Sequence, residues 1–276
     1  MSRRIQLLII DPQNDFCDLP PGPQGTPALP VAGADADMQR LARFMDAAGD
    51  ALSEITVTLD SHHRLDIAHP SFWWAGDGSA VTPFTAITAA QVRAGAFRPR
   101  DAAALPRTLA YLDALETAGR YTLMVWPVHC EIGSWGHNVH ADVRAAYNRW
   151  EERRQAIVQK VTKGENPWTE HYSAVQAEVP DEGDAHTRLN RTLIDALDDC
   201  DLLLIAGEAS SHCVKATTEH IVEHLPGGRL QRLVLLSDCM SPVGGFEAQA
   251  NDFLAAMQAR GVRLATSTDA LALLKN

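Results

Sequence analysis

The stretch Leu202-Leu203-Leu204-Ile205-Ala206-Gly207-Glu208-Ala209-Ser210-Ser211-His212-Cys213-Val214-Lys215 decides the fold. Its apolar run has the length of a buried strand and breaks at Gly207 into small and polar residues. A helical pattern then starts beside Cys213 and runs through Val214, Thr217, Ile221 and Leu225. The segment reads as strand, tight turn and helix, with a thiol where the helix begins. A helix N-terminus offers unpaired N–H groups and the positive end of the backbone dipole, and both favour the thiolate, the reactive form of cysteine. Free cysteines are more often small buried hydrophobes, so the role of Cys213 depends on the rest of the chain.

Working outward, the same strand-then-polar pattern recurs. Ile5 to Ile10 is a continuous apolar run that delivers Asp11-Pro12-Gln13-Asn14-Asp15-Phe16 at its C-terminal end. Ile55 to Leu59 ends in Asp60-Ser61-His62-His63, with His69 shortly after, and Thr122 to Val125 leads into Trp126-Pro127-Val128-His129-Cys130. Ile157 to Val161 delivers Lys163-Gly164, Asp201 to Ala206 precedes Cys213, and Leu233 to Leu236 and Val262 to Ala265 complete the strands. Between them, helical patterns cover Ala34 to Ala48, Arg100 to Ala118, Val139 to Ala156, His186 to Leu197 and Gly245 to Arg260. Alternation of this kind implies an α/β fold: an open, largely parallel sheet with helices on both faces. Ligands of such sheets bind at the C-terminal edge of the strands, where Asp11, Lys163 and Cys213 all fall. Taken singly, Asp11 before a proline also suits a turn cap, and Lys163 a surface turn.

At 276 residues the chain is expected to be a single domain, 1–276, with an insertion at 75–119 acting as a lid or a subunit contact. The formal net charge of -11 argues against nucleic-acid binding, which requires a basic face, and favours small-molecule chemistry. The basic cluster Arg149, Arg153 and Arg154 is interleaved with Glu151 and Glu152 and reads as a solvated helix face. Five scattered cysteines, Cys17, Cys130, Cys200, Cys213 and Cys239, with no C-x-x-C pair, point to a reducing compartment rather than a disulfide framework. Asp11 ends the first apolar run too early for a signal peptide or membrane span, so a cytoplasmic protein without membrane attachment is expected.

Residues two apart on an extended segment share a face, so Asp60 and His62 can point together. A carboxylate and imidazoles in one place suit a single divalent metal ion, zinc, iron or manganese, although histidine-rich loops also occur without metal.

Taken in order, Asp11 to Phe16, Asp60-Ser61-His62, Trp126 to Cys130, Lys163-Gly164 with Tyr172-Ser173-Ala174 downstream, and Gly207 to Lys215 resemble the nicotinamidase and isochorismatase-like cysteine hydrolase superfamily. The likeness spans most of the chain outside 75–119. It implies a Rossmann-like three-layer fold and a triad of Asp11, Lys163 and Cys213. Asp60, His62, His69 and His129 would hold the divalent metal characteristic of the nicotinamidase branch, with His63 competing for the place of His69. The resemblance also implies a cis peptide at Glu208-Ala209 that turns the Ala209 and Cys213 N–H groups toward one oxyanion, and Phe16, Trp126 and Tyr172 as walls for a flat ring. The implied reaction is hydrolysis of a small-molecule amide, nicotinamide first, through a thioester, as in NAD salvage. Related amides or carbamoyl compounds, or a non-catalytic metal- or ligand-binding role, are the alternatives. The superfamily adds a homo-oligomer to the expectations. Glu208 and Ser211-His212 depart from the usual pattern, which bears on the substrate.

Overall fold

The computed structural model describes residues 3–274; the outermost two residues at each end of the expected domain lie outside the described residues. In chain order the elements are β1 (Ile5–Ile10), α1 (Ala34–Ala48), β2 (Glu54–Asp60), β3 (Trp73–Ala75), β4 (Thr85–Ile87), α2 (Ala89–Arg93), β5 (Phe97–Pro99), α3 (Leu105–Ala118) and β6 (Leu123–Val125). They continue with α4 (Ala141–Arg154), β7 (Gln159–Lys163), α5 (Arg191–Asp198), β8 (Leu202–Gly207), α6 (Cys213–His224), β9 (Leu233–Leu236), α7 (Glu247–Ala259), β10 (Arg263–Ala265) and α8 (Ser267–Leu273).

Six strands form one parallel sheet in the order β10-β9-β8-β1-β2-β7. Every residue of β1 and β8 is buried, as expected of central parallel strands covered on both faces. Helix α1 presents Met38, Leu41, Ala42 and Met45 to the core at helical spacing, and it packs against α4 and α8. Among the described residues no helix is long and apolar enough to cross a membrane.

The strand order reverses between β1 and β8, so the chain leaves these neighbours in opposite directions and opens a crevice at their C-terminal ends. Ile10 lies beside Gly207 in register. A Cβ on Gly207 would fall 1.9 Å from the Ile10 carbonyl oxygen, and its φ of 124° suits glycine alone. The close approach there brings the residues after both strands into one site.

The structure corrects several sequence expectations. β6 pairs antiparallel with β4 outside the main sheet, because its three residues continue the 75–119 region rather than a βαβ unit. That region also holds α2 and β5, which pairs antiparallel with β3. α3 begins at Leu105 rather than Arg100: Asp101 caps a short 3-10 turn, and Pro106 sits in the first helical turn, where its missing N–H costs nothing. α5 starts at Arg191 rather than His186 because the Asn190 side chain caps it by accepting from the Leu193 N–H. β7 runs to Lys163, which is therefore the last strand residue, in register with Asp60.

Candidate active site

Four strand ends converge on the crevice. β1 delivers Asp11, β2 delivers Asp60 and His62, β7 delivers Lys163, and β8 leads through a short turn to Cys213 at the start of α6. Asp11 adopts φ 44°, a left-handed conformation that aspartate tolerates, and its carboxylate turns into the buried space. Thr58 fixes it twice: the Asp11 N–H donates to Thr58 Oγ1 (3.0 Å), and that hydroxyl donates to Asp11 Oδ1 (2.6 Å).

Lys163 Nζ lies 2.9 Å from Asp11 Oδ2 and 2.8 Å from Asp60 Oδ1, and it donates to Cys213 Sγ at 3.6 Å. The Asp11 carboxylate, held on the same ammonium, acts on the Cys213 thiol and disfavours its ionisation. Burial would neutralise the lysine, but Asp11 and Asp60 outweigh it and keep the ammonium charged. Burial raises the Asp11 carboxyl above the ordinary range, opposed by Lys163 and reinforced by Asp60. Cys213 differs from the sequence expectation of a thiolate favoured by the helix end. Burial pushes its thiol well up, and Lys163, shared with two carboxylates, does not reverse this. Cys213 therefore rests as a thiol beside the Lys163 ammonium.

The Glu208–Ala209 peptide is cis. Among the described residues, the Ala209 and Cys213 N–H groups have no backbone acceptor, and both residues line the crevice. The Glu208 side chain is held elsewhere: it is buried and accepts from the Ser241 N–H (3.1 Å). Burial and the Asp37 charge hold its carboxyl well above the ordinary range. An acidic residue therefore fits where a small apolar one was expected.

Next to Asp11, Lys163 and Cys213 stands the histidine cluster. Ligand nitrogens of His62, His69 and His129 all lie within 4.8 Å of one another, and the three residues are buried. Asp60 Oδ2 is 2.9 Å from His62 Nε2 and 3.3 Å from His129 Nε2. His63 is exposed and outside the cluster, leaving His69 as the third imidazole. His69 is held neutral, down at about 3, by burial and then by the neighbouring His129 and His62 rings. Its buried Nδ1 has no hydrogen-bond partner. Burial opposes charge on His62, but Asp60 and Asp66 raise it well above the usual histidine range. Three imidazoles, a carboxylate and an outer carboxylate from Asp66, 3.0 Å from His62 Nδ1, suit a divalent cation.

Phe16, Trp126 and Tyr172 line the same crevice, which Leu29, Glu170, His212 and Val243 complete. Trp126 Nε1 donates to the Tyr172 hydroxyl (3.0 Å). His212 stands among Trp126, Tyr172 and Phe246 with ring centroids 5.1, 5.2 and 4.7 Å away. Burial, then Lys215, keeps it neutral, at about 3.

Sequence reasoning missed Thr58, Asp66, Gln13 and Glu170. Gln13 clamps the Asp60 backbone, its Oε1 accepting from the Asp60 N–H (2.7 Å) and its Nε2 donating to the Asp60 carbonyl (2.8 Å). Asp66, four residues after His62, carried a readable signal as an outer partner of a ligand. Glu170 lies two residues before Tyr172 and gave none.

No protein-family model matches the chain, and no curated protein matches it. Among solved structures, the yeast nicotinamidase superposes with a TM-score of 0.62 at 20% identity, covering 95% of this chain and 99% of that one. The pyrazinamidase of Pyrococcus horikoshii in complex with zinc gives 0.54 at 18%, covering 95% and 99%. An isochorismatase-like hydrolase from Alkaliphilus metalliredigens gives 0.53 at 15%, covering 98% of each chain. With its switch-point crevice and strand order, this chain has the isochorismatase-like hydrolase fold shared by nicotinamidases and pyrazinamidases.

Proposed function

We propose that the protein is a cysteine amidohydrolase that cleaves a small aromatic carboxamide, with nicotinamide as the leading substrate and nicotinate and ammonia as products. The observation that carries this reading is Lys163 bridging Cys213 and Asp11, with Cys213 lining an aromatic-walled pocket.

In this mechanism Asp11 takes the Cys213 proton as sulfur attacks the carboxamide carbon; its raised pKa makes it a better base than an ordinary aspartate. The Ala209 and Cys213 N–H groups accommodate the developing oxyanion, a contribution on the order of a few kcal/mol. Asp11 passes its proton to the departing nitrogen, so ammonia leaves and a thioester remains. It then takes a proton from water, which adds to the thioester carbon; collapse breaks the C–S bond, releases the acid and returns the proton to sulfur. Lys163 stays protonated throughout and holds Asp11 in place.

Asp60, His62, His69 and His129 would hold a divalent metal ion, which would supply a Lewis-acidic anchor for the ring nitrogen of the substrate. The zinc in the Pyrococcus horikoshii structure supports this assignment. Orientation, with the carboxamide toward Cys213, is what the chain gains from it.

Ammonia release from nicotinamide, measured with and without chelator and with Cys213→Ala as the blank, tests the reading. Metal-dependent release by the parent protein and none by the variant is expected. Turnover that survives Cys213→Ala would overturn the thioester mechanism.

A further inference from the structure

Glu170 has no task in the chemistry above, yet it lines the pocket with Asp60, His129, Tyr172 and Cys213 and is 4% exposed. Its Oε1 accepts from the His171 N–H (3.0 Å), while its Oε2 is sealed from solvent without a hydrogen-bond partner. The backbone is fixed on both sides: the Glu170 N–H donates to the Tyr111 hydroxyl (3.1 Å), and its carbonyl accepts from the Glu178 N–H (2.9 Å). Tyr111 belongs to α3, so the 75–119 region supports this segment from behind. Arg107 of the same helix lies over the Trp168 ring, 4.1 Å from its centroid, and pairs with Asp181 at 2.6 Å.

A buried acceptor without a partner carries a desolvation penalty that a ligand bearing a matching donor removes. We propose that Glu170 is a specificity-determining residue whose Oε2 accepts a hydrogen bond from a donor on the substrate ring, beside the ring atom that faces the histidines. The inference rests on the amidase reading and deepens it: the preferred substrates are heteroaromatic carboxamides carrying an amino or hydroxyl group next to the ring nitrogen. The position on the ring follows from where Glu170 sits. Glu170 shares the pocket wall with Asp60 and His129 of the histidine cluster, and the charges that act most on its carboxyl are those of His62, then Asp66 and Asp60, so Glu170 stands toward the histidine end of the pocket. A ring with its carboxamide at Cys213 and its nitrogen toward the histidines then offers Glu170 the carbon beside that nitrogen, across the ring from the carboxamide. Burial lifts the carboxyl to about 7, and in either protonation state it retains an oxygen that accepts.

Binding of three ligands to the full-length Cys213→Ala protein, followed by calorimetry at equal metal content, tests this. The ligands are pyridine-3-carboxamide and its 6-amino and 6-methyl derivatives, the last two nearly equal in shape. The 6-amino compound is expected to bind about tenfold more tightly than the 6-methyl compound, the range of one buried hydrogen bond that is either made or left open. Adding Glu170→Leu should bring the ratio close to one, and adding Glu170→Gln, which keeps an accepting oxygen, should preserve it. A ratio near one in Cys213→Ala itself, or a tenfold ratio that survives Glu170→Leu, overturns the assignment of Glu170. The first of these needs no second variant to fold. If Cys213→Ala binds none of the three and the parent protein releases no ammonia from pyridine-3-carboxamide, the amidase reading falls and this inference with it. Ammonia release without the amino preference refutes Glu170 alone.

Discussion

Replacing Lys163 with methionine keeps the volume of the side chain and removes its charge. In the folded protein the ammonium stands 2.9 Å from Asp11 and 2.8 Å from Asp60, all three groups being buried. At an effective dielectric of about 20, each contact is worth roughly 6 kcal/mol before desolvation. Much of that is offset by the cost of burying the ions, and removing one partner of a buried pair typically costs about 3 to 5 kcal/mol. In a chain of this length that corresponds to a fall of roughly 6 °C or more in Tm. The deficit should also depend on pH. Asp11 already has a folded pKa above its unfolded value, so it binds more protons folded than unfolded, and its contribution to stability is lost as pH rises through the folded pKa. Without the lysine this window moves upward. Lys163→Met should therefore be close to the parent protein at acidic pH and fall progressively behind it toward pH 8. Thermal unfolding followed by circular dichroism at pH 5 and pH 8 reads the difference. Equal Tm values for variant and parent at pH 8 would refute the view that Lys163 compensates two buried carboxylates.

Further predictions concern the acid limb, the outer metal partner and the support of Glu170. Because the base must be ionised and Asp11 is raised by burial, kcat/KM for amide hydrolysis should fall with decreasing pH at values above the ordinary aspartate range; a pH–rate profile shows whether it does. Asp66→Asn removes the charge behind His62 and should weaken metal affinity by about 10- to 100-fold, as read by chelator competition. Tyr111→Phe removes the acceptor for the Glu170 N–H and should raise KM severalfold while leaving metal content intact, which substrate titration and metal analysis would check together.

Much of the central sheet was legible because β1, β8 and β9 are continuous apolar runs followed by polar residues, whereas β7 alternates polar and apolar residues and its end was read two residues short. α1 was legible end to end, since its apolar spacing and the glycines that flank it coincide. Asp11, Lys163 and Cys213 could be named as a candidate triad because the motifs that carry them resemble those of the cysteine hydrolase superfamily, and the structure brings the three together. β6 was misplaced because three apolar residues look alike whether they join a parallel sheet or a local antiparallel pair. The ionisation of Cys213 was misjudged for a different reason. The helix end is visible in sequence, but the burial and the adjacent Asp11 that dominate the thiol are products of tertiary packing. Glu170 and Asp66 were invisible because their roles arise from partners brought close only by the fold.

Lys163 is carried by β7, an edge strand paired only with β2 and largely uncovered except at the lysine itself. The charge that joins Cys213 and Asp11 to Asp60 beside the histidine cluster thus hangs from a poorly protected edge of the sheet. Fraying of this one strand from its neighbour would withdraw the ammonium from Asp11 and Asp60 while the buried core of β8 and β1 stayed intact. In native-state hydrogen exchange, opening of such an edge lies below the free energy of global unfolding. Loss of activity in mild denaturant should accordingly follow the exchange of the β7 amides and precede the loss of the sheet.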